Sequence, residues 1–140
     1  MLTAQSERHT TGARRMDRKD ELKLHIGDFA RFSAAMMVLG EMAPERMTLA
    51  QVLFFVITAS ADMAGKDPTF SEIRDTLGEE INRSLHTTYR VLLEPSRAYP
   101  NGLGWLRQEP DPVDTRQKFL RVTPKGRRVL AEVLKAMRND

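Results

Sequence analysis

The sequence predicts a mainly α-helical fold with one small β-hairpin near its C-terminal end. Apolar residues recur every three or four positions along most of the chain, which is the spacing of amphipathic helices. Two short stretches, Leu103 to Gln108 and Arg116 to Val122, follow instead the alternating pattern of strands. The segment between them, Glu109 to Thr115, contains two prolines and two aspartates and therefore suits a hairpin loop.

The first helix is predicted from Asp20 to Met42. Its apolar stripe lies on one helix face and consists of Leu22, Ile26, Phe29, Phe32, Met36 and Leu39. Such a helix needs a surface to pack on, and a second copy of the chain is the simplest candidate. Packing on its own domain alone is the alternative. We therefore predict residues 18–45 as an N-terminal dimerisation helix, preceded by a flexible basic tail over residues 1–17.

The next two helices carry start and stop signals. Thr48 and Gln51 stand in capping-box register at the start of a helix that ends at Gly65 to Pro68. A shorter helix begins at Thr69 and stops at Gly78. Both helices are therefore expected to have sharp boundaries.

A polar and cationic face distinguishes the following helix, which is predicted from about Asn82 to Leu93. Two short helices joined by a tight turn resemble a helix-turn-helix, whose second helix enters the DNA major groove. The residues predicted to face DNA from this helix are Arg83, Ser84, His86, Thr87 and Arg90. These residue types reach base edges and phosphates. Any amphipathic surface helix carries charges, however, so this face alone does not establish DNA binding.

The final helix is predicted from Pro124 to about Met137, with Thr123 as its N-cap. The element order is then helix, helix, helix-turn-helix, hairpin, helix. This is the order of a winged helix-turn-helix flanked by extra helices. We therefore predict residues 46–123 as a winged helix-turn-helix DNA-binding domain and residues 124–140 as a C-terminal dimerisation helix.

Residues 111–126, DPVDTRQKFLRVTPKG, resemble the wing signature of the MarR family of transcription regulators. The resemblance extends more loosely over residues 47–140. It implies a homodimer held by its N- and C-terminal helices, with each recognition helix in a major groove and each wing along the adjacent minor groove. Many members of the family release DNA when they bind small aromatic or lipophilic acids, so the resemblance also implies a small-molecule effector.

Two wing positions depart from the family pattern. Val113 stands where an arginine often reaches into the minor groove, and Thr115 is uncharged where a basic residue is common. The remaining cationic candidates for DNA contact near the wing are Arg107, Arg116 and Lys118. We expect Arg116 to pair with Asp114 and stiffen the wing in preference to contacting phosphate. The link between recognition helix and wing is also lengthened, by Ser96 to Asn101.

Composition excludes several other classes of function. The chain has no cysteine, so disulfides, thiolate metal sites and catalytic thiols are excluded. Its 3 histidines are scattered, and no spacing typical of a metal site or a catalytic pair occurs. We therefore predict no metal, no cofactor and no enzymatic activity. No apolar run is long enough to span a membrane and no secretory signal is present, so a cytoplasmic location is expected.

The predicted function is sequence-specific binding of double-stranded DNA by a homodimeric transcription regulator, expected to act as a repressor. The net charge of +3, from 22 Lys and Arg against 19 Asp and Glu, permits this partner without requiring it. The alternative is a winged helix that has lost specific DNA binding and serves as a protein-interaction module. The uncharged wing tip keeps this alternative open.

Overall fold

Helices dominate the described part of the chain, as predicted. The computed structural model describes residues 21–43, 47–85 and 88–138. Its elements, in chain order, are α1 (Ile26–Met42), α2 (Leu49–Met63), α3 (Phe70–Leu77), α4 (Glu79–Leu85), a 3-10 helix (Thr88–Leu92), β1 (Leu106–Pro110), β2 (Lys118–Val122) and α5 (Pro124–Arg138). The two strands form an antiparallel hairpin. No helix among the described residues is long and apolar enough to cross a lipid bilayer.

The first helix, α1, packs on α5 of the same chain. At the C-terminal end of its predicted apolar stripe Leu39 is buried and Met36 is half-buried, beside the buried Ala35. The other four members of the stripe are exposed to solvent, namely Leu22, Ile26, Phe29 and Phe32. The apolar stripe of α1 therefore packs on the chain's own core at its C-terminal end and is exposed to solvent at its N-terminal end.

α2 is the central helix of the core, as its apolar sequence predicts. The predicted capping box is present, because Thr48 N donates to Gln51 Oε1 (2.8 Å) and Gln51 N donates to Thr48 Oγ1 (3.1 Å). Phe54 and Phe55 are fully buried. Phe55 packs on Trp105, with ring centroids 4.9 Å apart. The helix is thereby tied to the residue that precedes the hairpin.

A single glycine makes the turn between α3 and α4. Gly78 has a φ of 85°, in the left-handed region that favours glycine, and α4 starts at the next residue, Glu79. A second capping box, between Thr69 and Glu72, starts α3. The two short helices and the tight turn are as predicted, although the second helix starts before Asn82.

The single helix predicted from about Asn82 to Leu93 is wrong in its extent. α4 ends at Leu85, and a separate 3-10 helix follows from Thr88. Residues three apart lie on the same face of a 3-10 helix, so Tyr89 and Leu92 both pack on the core.

β1 is shorter than the predicted strand from Leu103. Gly104 has a φ of 74°, which interrupts extended backbone. Leu103 and Trp105 instead donate backbone hydrogen bonds to carbonyls of the 3-10 helix, and Gly104 donates to the carbonyl of Leu93 just after it. The strand therefore begins at Leu106, and β2 likewise begins at Lys118 rather than at Arg116.

The motif from Thr123 to Gly126 starts α5 against the hairpin. Thr123 Oγ1 accepts the N–H of Gly126 (3.0 Å) and donates to the carbonyl of Gly104 (2.5 Å), so the predicted N-cap is confirmed. A Cβ at Gly126 would lie 2.2 Å from the carbonyl oxygen of Trp105. Close packing of α5 on this carbonyl therefore requires glycine at the last position of the motif.

Arg121 of β2 fastens the hairpin to the end of α2. Its guanidinium donates to Asp62 (3.1 Å), Asp67 (2.8 Å) and Glu109 (3.0 Å). The hydrogen bonds to Asp67 and Glu109 raise the pKa of Arg121. Asp62 also accepts the backbone N–H of Val122 (2.8 Å). This cluster fixes the hairpin relative to the helices, and with it the positions of the side chains that the hairpin carries.

Candidate nucleic-acid interface

The predicted DNA-contacting residues come from several elements of the fold. Arg83 and Ser84 lie on α4, Arg90 on the 3-10 helix, Arg107 on β1, Arg116 just before β2 and Lys118 at its start. His86 and Thr87 lie outside the described residues. The remaining six can therefore be placed relative to one another.

Groove A lies between α3, α4 and the 3-10 helix and has a volume of about 980 Å³. It is lined by Phe70, Ser71, Arg74, Asp75, Gly78, Glu79, Asn82, Arg83, Tyr89 and Arg90. It thus joins the outer face of α4 to the 3-10 helix.

Groove B, of about 480 Å³, lies between the 3-10 helix, the loop that follows it and the hairpin. It is lined by Tyr89, Arg90, Leu93, Glu94, Pro95, Ser96, Ala98, Tyr99, Arg107, Gln108 and Lys118. Groove C, of about 530 Å³, lies between α3 and the hairpin and is lined by Phe70, Ser71, Gln108, Asp114, Arg116, Gln117, Lys118 and Leu120.

The three grooves adjoin one another, and together they form what we call the concave surface. Grooves A and B share Tyr89 and Arg90, and grooves B and C share Lys118. The predicted residues brought together on it are Arg83, Arg90, Arg107, Arg116 and Lys118. Ser84 is exposed on α4 and lines none of these grooves.

An aromatic cluster lies between the concave surface and the core helix α2. Phe70 and Tyr89 pack with ring centroids 4.3 Å apart, and both contact Phe54 of α2, at 5.7 and 5.5 Å. The guanidinium of Arg74 lies 5.5 Å from the ring centre of Phe70. Because these rings fix α3 against the 3-10 helix, the core sets the separation between Arg74 and Arg90.

Carboxylates engage some of the cations of this surface. The pairs are Arg83 with Glu80 (2.5 Å), Arg107 with Glu109 (3.2 Å) and Arg116 with Asp114 (3.2 Å). The expected pairing of Arg116 with Asp114 is therefore confirmed. The hydrogen bonds from Arg121 and then Arg107 hold the pKa of Glu109 below its usual range. Exposed pairs of this kind are weak, so their cations can exchange partners readily.

Three other cations stand free of such pairing. Arg74, Arg90 and Lys118 form no ion pair with any carboxylate in the described ranges. The linings of the concave surface hold six cationic and four acidic side chains, which gives a net charge of +2. Its field therefore favours an anionic partner modestly, and the unpaired cations supply the charge most available to it.

The wing tip is shaped by the two aspartates of its motif. Asp111 accepts the backbone N–H of Val113 (2.8 Å), and Asp114 accepts that of Arg116 (3.1 Å). Both aspartates therefore build the turn. The side chain that the turn presents at its tip is the uncharged Val113, which is 93% exposed.

Sequence reasoning missed two residues of the concave surface, Arg74 and Tyr99. Arg74 stands one helical turn after Phe70 on α3, so the two side chains lie on the same face of the helix. This spacing would have indicated Arg74 if Phe70 had been placed beside the 3-10 helix. Tyr99 lies in the turn-rich loop before β1, where no periodicity indicates the direction of a side chain. Its place in groove B depends on how the loop folds back.

Comparisons with known proteins identify no relative of this chain. No family model matches the chain, and no curated protein or solved structure matches it. Among the described residues, no group of three or more His, Cys, Asp or Glu side chains is arranged to hold a metal ion. The resemblance to the MarR family therefore rests on the sequence motif alone.

Proposed function

We propose that this chain is a homodimeric, sequence-specific binder of double-stranded DNA that regulates transcription in the manner of the MarR family, with repression as the expected effect. The concave surface carries the proposal. There, Arg74, Arg90 and Lys118 pair with no carboxylate of the described chain. Unpaired arginine and lysine side chains neutralise backbone phosphates and release counterions, which drives association with DNA.

The elements around the surface have suitable dimensions for a duplex. α4 has 7 residues and presents Arg83 and Ser84 to solvent. An α-helix with its side chains is roughly 10–12 Å across, and the major groove that would admit it is about 12 Å wide. In this arrangement α4 reads bases, while Lys118 and Arg116 at the hairpin contact the neighbouring backbone.

The exposed half of α1 supports the homodimer. Phe29 and Phe32 are 53% and 63% exposed, and Leu134 and Met137 of the adjoining α5 are 46% and 38% exposed. Full burial of one such side chain contributes roughly 1.5–3 kcal/mol. In a dimer with two-fold symmetry, the exposed apolar residues of α1 and α5 in one copy would pack on the same residues of the other copy.

A small-molecule effector forms part of the same proposal, and a cavity of about 590 Å³ between α2 and α3 is its candidate place. This cavity is lined by Ile57, Ser60, Ala61, Ala64, Lys66, Pro68, Glu72, Ile73 and Thr76. It is of ligand size and faces away from groove A across α3. Its apolar wall and Lys66 suit a lipophilic carboxylate. Benzoate should raise the melting temperature of the wild type but not of Lys66→Gln; equal responses would argue against this place.

Selection from a pool of random duplexes at two salt concentrations tests the proposed function. We expect enrichment of an inverted repeat whose half-sites are roughly 34 Å apart. With about 6–10 phosphate contacts per dimer, affinity should fall roughly 10³–10⁵-fold between 50 and 200 mM salt. Uniform weak binding that disappears with salt would contradict sequence-specific recognition.

A protein-interaction module is the second candidate function. The exposed, uncharged Val113 at the wing tip and the pairing of Arg107 with Glu109 favour it, because both reduce the charge that the hairpin offers to DNA. Capture of a protein partner that persists at high salt, without enrichment of any duplex, would support this candidate over DNA binding.

A further inference from the structure

The loop that lengthens the link between the 3-10 helix and β1 is closed by its own hydrogen bonds. Ser96 N donates to the carbonyl of Tyr99, and Tyr99 N donates to the carbonyl of Ser96, each at 3.1 Å. Tyr99 N also lies 3.1 Å from Ser96 Oγ. These bonds limit the directions in which Tyr99 can point.

The ends of this loop are clamped to the core. Glu94 N donates to the carbonyl of Leu106 (3.1 Å), and Gly104 N donates to the carbonyl of Leu93 (3.0 Å). A Cβ at Gly102 would lie 2.1 Å from the same Leu93 carbonyl oxygen. The loop therefore leaves and rejoins the core at a fixed place, and it holds Tyr99 in the wall of groove B.

Groove B combines a tyrosine ring, which stacks on no other aromatic ring in the described ranges, with two cations that form no ion pair there. Arg90 and Lys118 form no ion pair within the described ranges. The ring of Tyr99, a residue 36% exposed, contacts no other aromatic ring and no cation there. The acid that lines this groove is Glu94, against three cations that include Arg107. An anion that also offers a surface to an aromatic ring fits this set.

We infer that groove B binds a phosphate ester, with Arg90 and Lys118 on the phosphate and Tyr99 beside the attached sugar or base. A guanidinium donates to phosphate oxygens in a fork, and an ammonium adds a point charge. A tyrosine hydroxyl donates to a phosphate oxygen, while its ring packs on the sugar or stacks on a base. The geometry thus assigns the loop a binding role that its sequence did not indicate.

The phosphate ester can belong to the backbone of a nucleic acid or to a free nucleotide. The position of groove B beside grooves A and C favours the backbone, because one strand would pass from the 3-10 helix to the hairpin across groove B. In that form the inference rests on the proposed function and extends it, since Tyr99 becomes a further DNA contact on each subunit.

Three substitutions, with a matched control in the same loop, test the site in the full-length protein. Lys118→Gln removes an unpaired cation, Tyr99→Ala removes the ring, and Tyr99→Phe removes its hydroxyl alone. Arg97→Gln is the control, because Arg97 is an exposed cation of this loop that does not line groove B. Fluorescence anisotropy would measure affinity for duplex DNA over a range of salt, and calorimetry would measure binding of a nucleoside monophosphate.

For a backbone phosphate, we expect Lys118→Gln to weaken duplex binding roughly tenfold and to reduce the salt slope by about 1. Tyr99→Ala should weaken it by a similar factor, Tyr99→Phe by less, and Arg97→Gln by less than about twofold. If Lys118→Gln and Tyr99→Ala match Arg97→Gln while the wild type still binds DNA, groove B is overturned and the proposed function stands.

Calorimetry with the nucleoside monophosphate distinguishes a free nucleotide from a backbone phosphate as the ligand of groove B. If the wild type binds no duplex but binds the nucleoside monophosphate, and Lys118→Gln and Tyr99→Ala abolish that binding, groove B stands with a free nucleotide as its source and the proposed function fails. If the wild type binds neither ligand, both inferences are overturned. Unchanged circular dichroism spectra of the variants would show that these losses are not caused by unfolding.

Discussion

The guanidinium of Arg121 lies 3.1 Å from Oδ1 of Asp62, a residue 59 positions earlier in the chain. The contact joins β2 to the last turn of α2. Asp67 and Glu109 complete the surroundings of this guanidinium, so one partly buried cation pairs with three carboxylates. Since Glu109 also pairs with Arg107, the cluster connects the core to a cation of groove B.

Replacing Arg121 with methionine should destabilise the fold by about 2–4 kcal/mol, because three carboxylates would lose their common cation. Urea unfolding measures this change in the free energy of unfolding. The control is Arg116→Met, since the side chain of Arg116 is 90% exposed whereas that of Arg121 is 18% exposed. A surface change of that kind should cost less than about 0.5 kcal/mol. Similar losses in both variants would contradict an anchoring role for Arg121.

Glu109 should make stability depend on pH on the acid side. The hydrogen bond from Arg121, followed by that from Arg107, lowers the pKa of Glu109 below its ordinary value of 4.5. A carboxyl with a lower pKa in the folded state stabilises the fold above the unfolded pKa. That contribution is lost as the pH falls through the folded pKa. From about pH 6 to about pH 3, the wild type should therefore lose more stability than Glu109→Gln.

Urea unfolding at a series of pH values checks this expectation. The pKa of Asp28 is also lowered, by its hydrogen bonds with His25 and Arg31, so Asp28 too contributes on the acid side. Asp28→Asn is therefore the comparison variant, and its effect should add independently to that of Glu109→Gln. Identical pH profiles for the wild type and Glu109→Gln would show that Glu109 does not contribute.

Local signals in the sequence were sufficient to predict where several elements begin. The capping of α2 by Thr48 and Gln51, and of α5 by Thr123, involves side chains within one helical turn, and both are present as predicted. The turn at Gly78 likewise needs one residue with a positive φ. Such features depend on neighbours in the chain, which a sequence displays directly.

Features that depend on distant contacts could not be predicted in this way. Arg121 alternates on its strand like a surface residue, and nothing beside it points to Asp62. The 3-10 helix over Thr88–Leu92 packs Tyr89 and Leu92 on the core, although the helical spacing of the segment predicted continued α-helix. The cations of the hairpin were identified from element order and family resemblance, whereas Arg74 and Tyr99 required the folded arrangement of the grooves.

Gly126→Ala should destabilise the protein by roughly 1–3 kcal/mol, because the added Cβ would lie 2.2 Å from the carbonyl oxygen of Trp105 and force α5 away. Gly40→Ala in α1 is the matched control, since a Cβ there meets nothing within 4 Å. That change should stabilise the helix by about 0.5–1 kcal/mol. Thermal unfolding of both variants gives the comparison, and an unchanged Gly126→Ala protein would contradict the close packing.

The double change Phe29→Ser and Phe32→Ser should convert the expected dimer to a monomer. These rings are exposed on α1. Burial of each ring against a second copy would contribute roughly 1.5–3 kcal/mol to the free energy of dimerisation. Val113→Ser, also an exposed apolar residue but at the wing tip, should leave the mass unchanged. Sedimentation equilibrium measures the mass of each protein. A wild type that is already monomeric would remove this face of α1 from any homodimer interface.

Arg90 and Arg83 should contribute differently to operator binding, because their surroundings differ. Arg90 forms no ion pair among the described residues, whereas Arg83 pairs with Glu80 at 2.5 Å and, under the proposed function, would have to leave that carboxylate to contact DNA. We therefore expect Arg90→Ala to weaken binding more than Arg83→Ala, with each lost phosphate contact reducing the salt slope by about 1.

The double variant Arg83→Ala with Arg90→Ala should lose specific binding and keep the mass of the dimer. Anisotropy titrations at two salt concentrations, together with sedimentation, check both expectations. Because both residues line groove A, retained operator affinity in the double variant would mean that DNA does not enter that groove. The charge of Lys118 and Arg116 at the hairpin would then have to account for binding, and such contacts to phosphates carry no sequence information directly.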